Sequence, residues 1–182
     1  IPFPFITALF HIAAARNYNG YTKEVLKKGT NTLRWIEYSI TNGLMTFSLV
    51  FIAGNGGNFW IAIVSVLFNF FMQYTGYRYE ISRKRNIEWI VLGFVPWIFN
   101  WTIVFIYYIS RIDTASFSDG VGIIGTFVWS LAFVLPLIYK KISKDTSTIR
   151  VNYRVELSYI LLSLSAKLWL DWSITGGALS GN

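Results

Sequence analysis

Long apolar runs divide this chain and limit the folds that it can adopt. The runs cover residues 1–15, 35–53, 59–75, 87–110, 121–139 and 155–174. A helix needs about 20 apolar residues to cross a bilayer, whereas a strand of a membrane barrel needs about 10 residues of alternating polarity. All runs but the first have the helical length, and none alternates. We therefore expect an all-α, multi-pass integral membrane protein with one transmembrane helical domain over residues 1–182.

The composition excludes several other classes of protein. Charged residues make up 14% of the 182 residues, against about 25% in soluble domains. The absence of cysteine and the single histidine leave no disulfide, thiolate or His-rich metal site. No nucleophile–base pair is visible, so we expect no enzyme. The net charge of +7 does not indicate nucleic-acid binding, because the basic residues lie in short loops between apolar runs.

The loop charges also predict the orientation of the chain in the lipid bilayer. Three connections are rich in basic residues: Arg16, Lys23, Lys27, Lys28 and Arg34; Arg78, Arg83, Lys84 and Arg85; Lys140, Lys141, Lys144, Arg150 and Arg154. Such loops stay in the cytoplasm, so the C-terminus and a tight turn at residues 54–58 are expected outside. The short first run begins at Ile1 without a methionine, which leads us to expect that a segment upstream is missing.

Lys167 stands inside the last apolar run, where a charged side chain is costly. A lysine near the middle of a span costs about 2.5–3.5 kcal/mol on insertion scales. It is tolerated when it faces the interior of the bundle and has a partner or a covalent role. One such role is a Schiff base with an aldehyde cofactor, which removes the bare ammonium. Glu37, early in the second run, is the candidate counterion.

Glu37 has two interpretations that the spacing leaves open. It shares a helix face with Arg34 and Thr41, so it is either an interfacial partner of Arg34 or a bundle-facing partner of Lys167. If the helices begin near residues 32 and 152, Glu37 lies about 8 Å deep and Lys167 about 22 Å deep. This difference in depth can be bridged if the lysine side chain points back toward the N-terminus of its helix.

Other polar residues also have competing interpretations. Glu156 is either a capping carboxylate or part of a polar network, and Ser163 bonds either a Schiff base or its own helix. His11 is either a proton acceptor or a histidine satisfied by a neighbour. Glu80 and Glu88 flank a basic loop and are expected to be solvated.

Aromatic residues make up 19% of the chain, enough to line an apolar pocket. Trp97 follows Pro96 in the middle of the fourth run, and Pro96 is expected to kink its helix and open space beside it. Trp97 and Trp129 are therefore candidates for a pocket, with ordinary packing between helices as the alternative.

Two stretches together resemble one family of membrane proteins. Residues 34–39, RWIEYS, and residues 159–167, YILLSLSAK, are similar to heliorhodopsins, which are seven-helix retinal proteins of inverted topology. The resemblance covers the whole chain, from the second helix of the family to the seventh. It implies a seven-transmembrane-helix rhodopsin-like bundle whose first helix is absent here and whose C-terminus is outside.

The resemblance also implies roles for individual residues. Lys167 would bind all-trans-retinal covalently as a Schiff base, Glu37 would be the counterion, and Ser163 would lie beside the Schiff base. Further implied cofactor-binding residues are Tyr38, Thr41, Met72 and Trp97. Asn69, Met72, Gly76 and Glu80 match a spaced pattern in the fourth helix of the family. Thr41 replaces the usual serine, and the implied polar network contains His11, Arg34 and Glu156.

The function implied is that of a light-sensing photoreceptor that signals rather than pumps. A pump needs ordered carboxylates on both sides of the Schiff base, and toward the outside the last run offers only Asp171. The alternative is a light-gated proton or ion conductor that uses Glu37, His11 and Glu156. A soluble cytoplasmic signalling partner is a further expectation. A homodimer is expected from the resemblance and from the small residues Gly120, Gly122 and Gly125.

Overall fold

The part of the chain that the structure describes consists of helices joined by short loops and turns. The computed structural model describes residues 3–54, 58–82, 86–143 and 148–179. A π-helical segment, Lys23–Lys28, lies among the α-helices, which are α1 Phe3–Arg16, α2 Tyr18–Thr22, α3 Thr32–Ala53, α4 Phe59–Ile81, α5 Glu88–Ser110, α6 Phe117–Ala132, α7 Leu135–Ile142 and α8 Thr148–Leu179. The prediction of an all-α membrane bundle is confirmed.

Four helical stretches of the described residues are long and apolar enough to cross a membrane. They are α3, α4, α5 and the stretch Phe117–Ile142, which joins α6 and α7. The apolar α1 has only 14 residues, and the 32-residue α8 carries buried charges that lower its hydropathy. Each predicted apolar run therefore corresponds to helix. Among the described residues, four helical stretches are both long enough and apolar enough for a span.

The fifth predicted run is broken between Ala132 and Leu135, which separates α6 from α7. Pro136 explains the break, because it has no N–H to continue the helical hydrogen bonding and is accommodated in the first turn of a new helix. The N–H of Leu137 bonds the carbonyl oxygen of Val134 at 3.1 Å, which tightens this turn. By contrast, α5 continues on both sides of Pro96.

Side-chain caps fix where α3 and α4 begin. The Asn31 side chain accepts a hydrogen bond from the backbone N–H of Arg34 at 3.0 Å and starts α3. Asn58 caps α4 in the same way through Trp60 at 2.9 Å. The start of α3 at Thr32 places Glu37 in the second turn of that helix.

Gly120, Gly122 and Gly125 face the inside of the protein. A Cβ atom at Gly120 would lie 2.6 Å from the Tyr108 hydroxyl, and one at Gly125 would lie 2.1 Å from Trp169 Nε1. These glycines let α6 approach α5 and α8 closely, so their predicted use in a dimer interface is wrong. The homodimer itself stays a prediction. Residues 55–57 of the predicted outside turn lie outside the described residues, as do Arg83, Lys84, Arg85 and Lys144.

Candidate functional site

Lys167 on α8 and Glu37 on α3 form a buried ion pair. Lys167 is 1% exposed and Glu37 is 5% exposed. The ammonium donates to Glu37 Oε1, to Thr7 Oγ1 at 2.5 Å and to Ser163 Oγ at 2.8 Å. All three donors of the ammonium therefore have acceptors. A charged amine is tolerated in this interior because a carboxylate balances its charge and two hydroxyls complete its shell.

The direction of the lysine side chain brings the pair together. Ser163 lies one helical turn before Lys167, and its hydroxyl accepts from the lysine nitrogen. The side chain thus folds back toward the N-terminus of α8, as helix geometry favours. The structure decides between the two interpretations of Glu37, because its charged partner is Lys167 rather than Arg34.

Thr7 on α1 belongs to this site, although sequence reasoning did not identify it. Its buried hydroxyl donates to Glu37 Oε1 at 2.7 Å and accepts from Lys167. Thr7 therefore touches both members of the ion pair and ties α1 to them. The sequence contained one indirect signal, because Thr7 and His11 share a face of α1 at i and i+4.

A large, mainly apolar cavity of about 180 Å³ lies among α3 to α8. Tyr38, Met72, Trp97 and Trp129, all singled out in the sequence, line it together with Trp101. One water molecule needs only about 10–15 Å³ of such a cavity. The space therefore suits an extended apolar molecule of many atoms.

Tyr38 lies near the lysine nitrogen and also lines this cavity. The Lys167 nitrogen lies 5.5 Å from the centre of the Tyr38 ring, and both Tyr38 and Ala166 line the cavity. The Tyr38 hydroxyl donates to the backbone oxygen of Tyr159 at 3.0 Å, which holds the ring in place. The amine thus lies beside a ring that lines the aromatic cavity.

Three other residues that the sequence analysis singled out have different surroundings. Trp97 Nε1 donates to Ser130 Oγ at 3.0 Å, which fixes the indole against the cavity. Gly76 makes room for the Trp35 ring, since a Cβ atom there would lie 2.3 Å from it. The buried Thr41 hydroxyl donates to the backbone oxygen of Glu37 at 3.0 Å. It therefore bonds its own helix, and its role toward a ligand stays a prediction.

A second set of buried charges lies one turn before Glu37. Arg34 forms ion pairs with Glu156 and, at 2.5 Å, with Glu80. Lys140 on α7 lies 3.5 Å from Glu80 and donates to the backbone oxygen of Gly29. The two cations and two carboxylates balance one another, which makes their burial tolerable. They connect α3, α4, α7, α8 and the loop after the π-helical segment.

The expectation that Glu80 is solvated is wrong. The fourth helix of the chain continues past the end of the predicted apolar run to Ile81 and carries Glu80 into the bundle. Its side chain is 1% exposed there and accepts from Arg34 and, at 2.8 Å, from Trp35 Nε1. Glu88, beyond the same loop, is exposed as expected.

Glu156 belongs to the polar network rather than to a helix cap. Besides Arg34, it accepts from Asn31 Nδ2 at 2.5 Å and from the Tyr21 hydroxyl at 2.9 Å. Burial, followed by the nearby Glu156 carboxylate, raises the pKa of Tyr21 above its ordinary value, so the phenol stays neutral and donates. Sequence reasoning missed Tyr21 and Asn31, because polar residues beside a basic loop resemble ordinary solvated ones.

A smaller cavity of about 30 Å³ joins the two charged sets. Its lining includes Glu37 and Ser163 from the first set, Arg34 and Glu156 from the second, and His11 from α1. His11 is exposed and also contributes to the lining of this cavity. The volume suits about two water molecules, which would let protons move between the groups around it.

The sequence was also compared with known families and proteins. A family model described as Heliorhodopsin matches residues 1–179, which is nearly the whole chain. A comparison with curated proteins found no match. The chain therefore belongs to the heliorhodopsin family of retinal-binding, light-sensing membrane proteins.

Proposed function

We propose that this protein binds all-trans-retinal covalently through Lys167 and acts as a light sensor that signals rather than pumps. The observation that carries the proposal is the buried Lys167–Glu37 pair next to an aromatic cavity. When bound, retinal supplies light absorption and a change of shape. The residues fit it, because the lysine amine can condense with an aldehyde and Tyr38, Met72 and Trp97 line an apolar space.

The residues around Lys167 would hold positive charge on its nitrogen. Glu37 favours the protonated form of a neighbouring nitrogen by opposite charge. Thr7 and Ser163 are placed to orient the lysine and the carboxylate through their hydroxyls. A protonated Schiff base keeps a single N–H, so a movement at the nitrogen would change which of the three acceptors, each on a different helix, that N–H reaches.

A proton leaving this nitrogen has a polar route toward the basic loops. The smaller cavity extends from Glu37 to Glu156 and Arg34, with His11 at its wall. We infer that His11 and the waters of this cavity accept the proton, and that the change in charge reaches the Arg34 network. Because Lys140 of that network bonds the loop at Gly29, a change there can alter the cytoplasmic surface.

The positive loops support an outside C-terminus, and the network beneath them supports a soluble signalling partner on the cytoplasmic side. A homodimer is a further part of the proposal, based on membership of the family.

A light-gated proton conductor is the second candidate function. It is favoured by Asp171, which lies one turn beyond Lys167 on α8 and has a buried oxygen, Oδ1, without a hydrogen-bond partner. A carboxylate on that side could continue a proton route toward the outside. Voltage-clamp recording in light separates the candidates, because a conductor gives a photocurrent that Asp171→Asn reduces, whereas a sensor gives none.

The test of retinal binding is the visible absorption of the full-length protein after addition of all-trans-retinal. We expect a visible band in the native protein and in Lys141→Ala, which changes an exposed lysine, and none in Lys167→Ala. A band that persists in Lys167→Ala would overturn the assignment of the lysine.

A further inference from the structure

Two buried asparagines interrupt the apolar wall of the large cavity. Asn69 on α4 is 1% exposed, Asn100 on α5 is 8% exposed, and both line the cavity. Asn69 Nδ2 and Asn100 Oδ1 are buried without any hydrogen-bond partner. Asn69 Oδ1 already accepts from Gln73 Nε2 at 3.4 Å. One donor and one acceptor are therefore left over on neighbouring helices.

The two asparagines lie at the same level of the bundle. Phe68 and Phe99, each one residue before an asparagine, stack with ring centres 5.6 Å apart. Further along the same pair of helices, Thr75 faces Gly93, where a Cβ atom would lie 2.7 Å from the Thr75 hydroxyl. These contacts fix the register of α4 against α5 and place Asn69 and Asn100 at a similar level, where both line the cavity.

The leftover atoms match one kind of chemical group. A buried polar atom without a partner is costly, so a cavity that keeps two of them is suited to a guest that satisfies both. A hydroxyl accepts from Asn69 Nδ2 through its oxygen and donates to Asn100 Oδ1 through its hydrogen. It also suits the reversed order, in which both amides are turned over. A charged guest does not fit, because the described residues that line this cavity include no charged side chain.

We propose that Asn69 and Asn100 form a hydroxyl-binding subsite in the wall of the chromophore cavity. This proposal rests on the function proposed above in one respect, which is that the ligand beside the subsite is the chromophore. The hydroxyl has two sources: an ordered water molecule beside plain retinal, or a hydroxyl carried by the retinoid itself. The contacts to the asparagines are the same in both cases.

The first arm of the test is a high-resolution structure of the full-length protein with all-trans-retinal. If water is the source, one oxygen peak lies within hydrogen-bond distance of both amides. It disappears in Asn100→Leu and remains in Thr46→Val, which removes a different polar group from the same cavity.

The second arm is competition between all-trans-retinal and a ring-hydroxylated retinal, with the bound chromophore extracted and quantified. If the retinoid carries the hydroxyl, the native protein prefers the hydroxylated form by at least about tenfold. Asn100→Leu loses the preference and Thr46→Val keeps it. If Asn100→Leu does not fold, Asn69→Leu replaces it. The native protein by itself already shows whether an oxygen bridges the amides and whether the hydroxylated retinal is preferred.

The proposal is overturned if the native protein shows neither a bridging oxygen nor a preference, or if the two amides bond each other directly. Failure of the proposed function is a separate result, since it shows as absence of pigment with either retinoid. The structure of the retinal-free protein then still shows whether an oxygen bridges the asparagines.

Discussion

The ammonium of Lys167 lies against the carboxylate of Glu37, although the two residues are 130 positions apart in the chain. The lysine reaches α3 from α8 because its side chain runs back along its own helix toward Ser163. Thr7 completes the contact from α1. Three helices thus meet at one nitrogen, and each of them supplies one acceptor for the ammonium.

Replacing Glu37 by glutamine leaves Lys167 buried without an opposite charge. We expect retinal-free Glu37→Gln to lose about 3–5 kcal/mol of stability, the usual cost of removing one partner of a buried ion pair. With retinal added, the visible band should move, because the charge facing the lysine nitrogen is gone. Thermal unfolding in detergent and absorption spectra measure the two effects. Glu88→Gln is the control at an exposed glutamate, and a Glu37 variant as stable as this control would contradict the pairing.

Thr7 should position the pair through its hydroxyl alone. Thr7→Val keeps the size of the side chain but removes one acceptor of the ammonium and one donor to Glu37. We expect a loss of about 1–3 kcal/mol and a shifted absorption band. Thr7→Ser should restore both properties, because it keeps the hydroxyl. Equal behaviour of the valine and serine variants would show that only the volume of Thr7 matters.

The sequence allowed the charged pair to be predicted but not the whole site around it. Lys167 and Glu37 stand out because charges within apolar runs are rare and need a reason. Thr7 gives no such signal, since a threonine in an apolar helix usually bonds its own backbone. Glu80 was misplaced because the end of an apolar run does not mark the end of a helix, and α4 continues to Ile81.

For the fold as well, the sequence predicts the positions of the helices but not the contacts between them. The apolar runs predicted where helices lie. The break between α6 and α7 is explained by Pro136, a residue that is visible in the sequence. The direction in which Gly120 and Gly125 face could not be predicted, because it depends on which helices become neighbours.

Glu80 should matter for stability as a buried partner of two cations. Glu80→Gln leaves Arg34 with Glu156 alone and weakens the contact with Lys140. We expect a loss of about 3–5 kcal/mol, with the retinal band changed less than in Glu37→Gln. Unfolding temperature and absorption, recorded on the same samples, test this order. A larger spectral change in Glu80→Gln than in Glu37→Gln would show that Glu37 is not the main counterion.

Gly125 tests the packing of α6 against α8. A Cβ atom at this position would lie 2.1 Å from Trp169 Nε1, so Gly125→Ala should cost about 1–3 kcal/mol by overpacking. Gly176→Ala is the matched control, because a Cβ atom there meets nothing within 4 Å. Both variants should keep the oligomeric state of the native protein. A change of oligomeric state in Gly125→Ala without loss of stability would return this glycine to a subunit interface.

Covalent binding of retinal by Lys167 can be tested by locating the point of attachment on the chain. The full-length protein is loaded with all-trans-retinal, reduced with borohydride to make the linkage permanent, digested and mapped by mass spectrometry. We predict a retinyl group on the α8 peptide at Lys167, and none on peptides that contain Lys140 or Lys141. A retinyl group on another lysine, or no covalent adduct in a protein that has formed its visible band, would contradict this account.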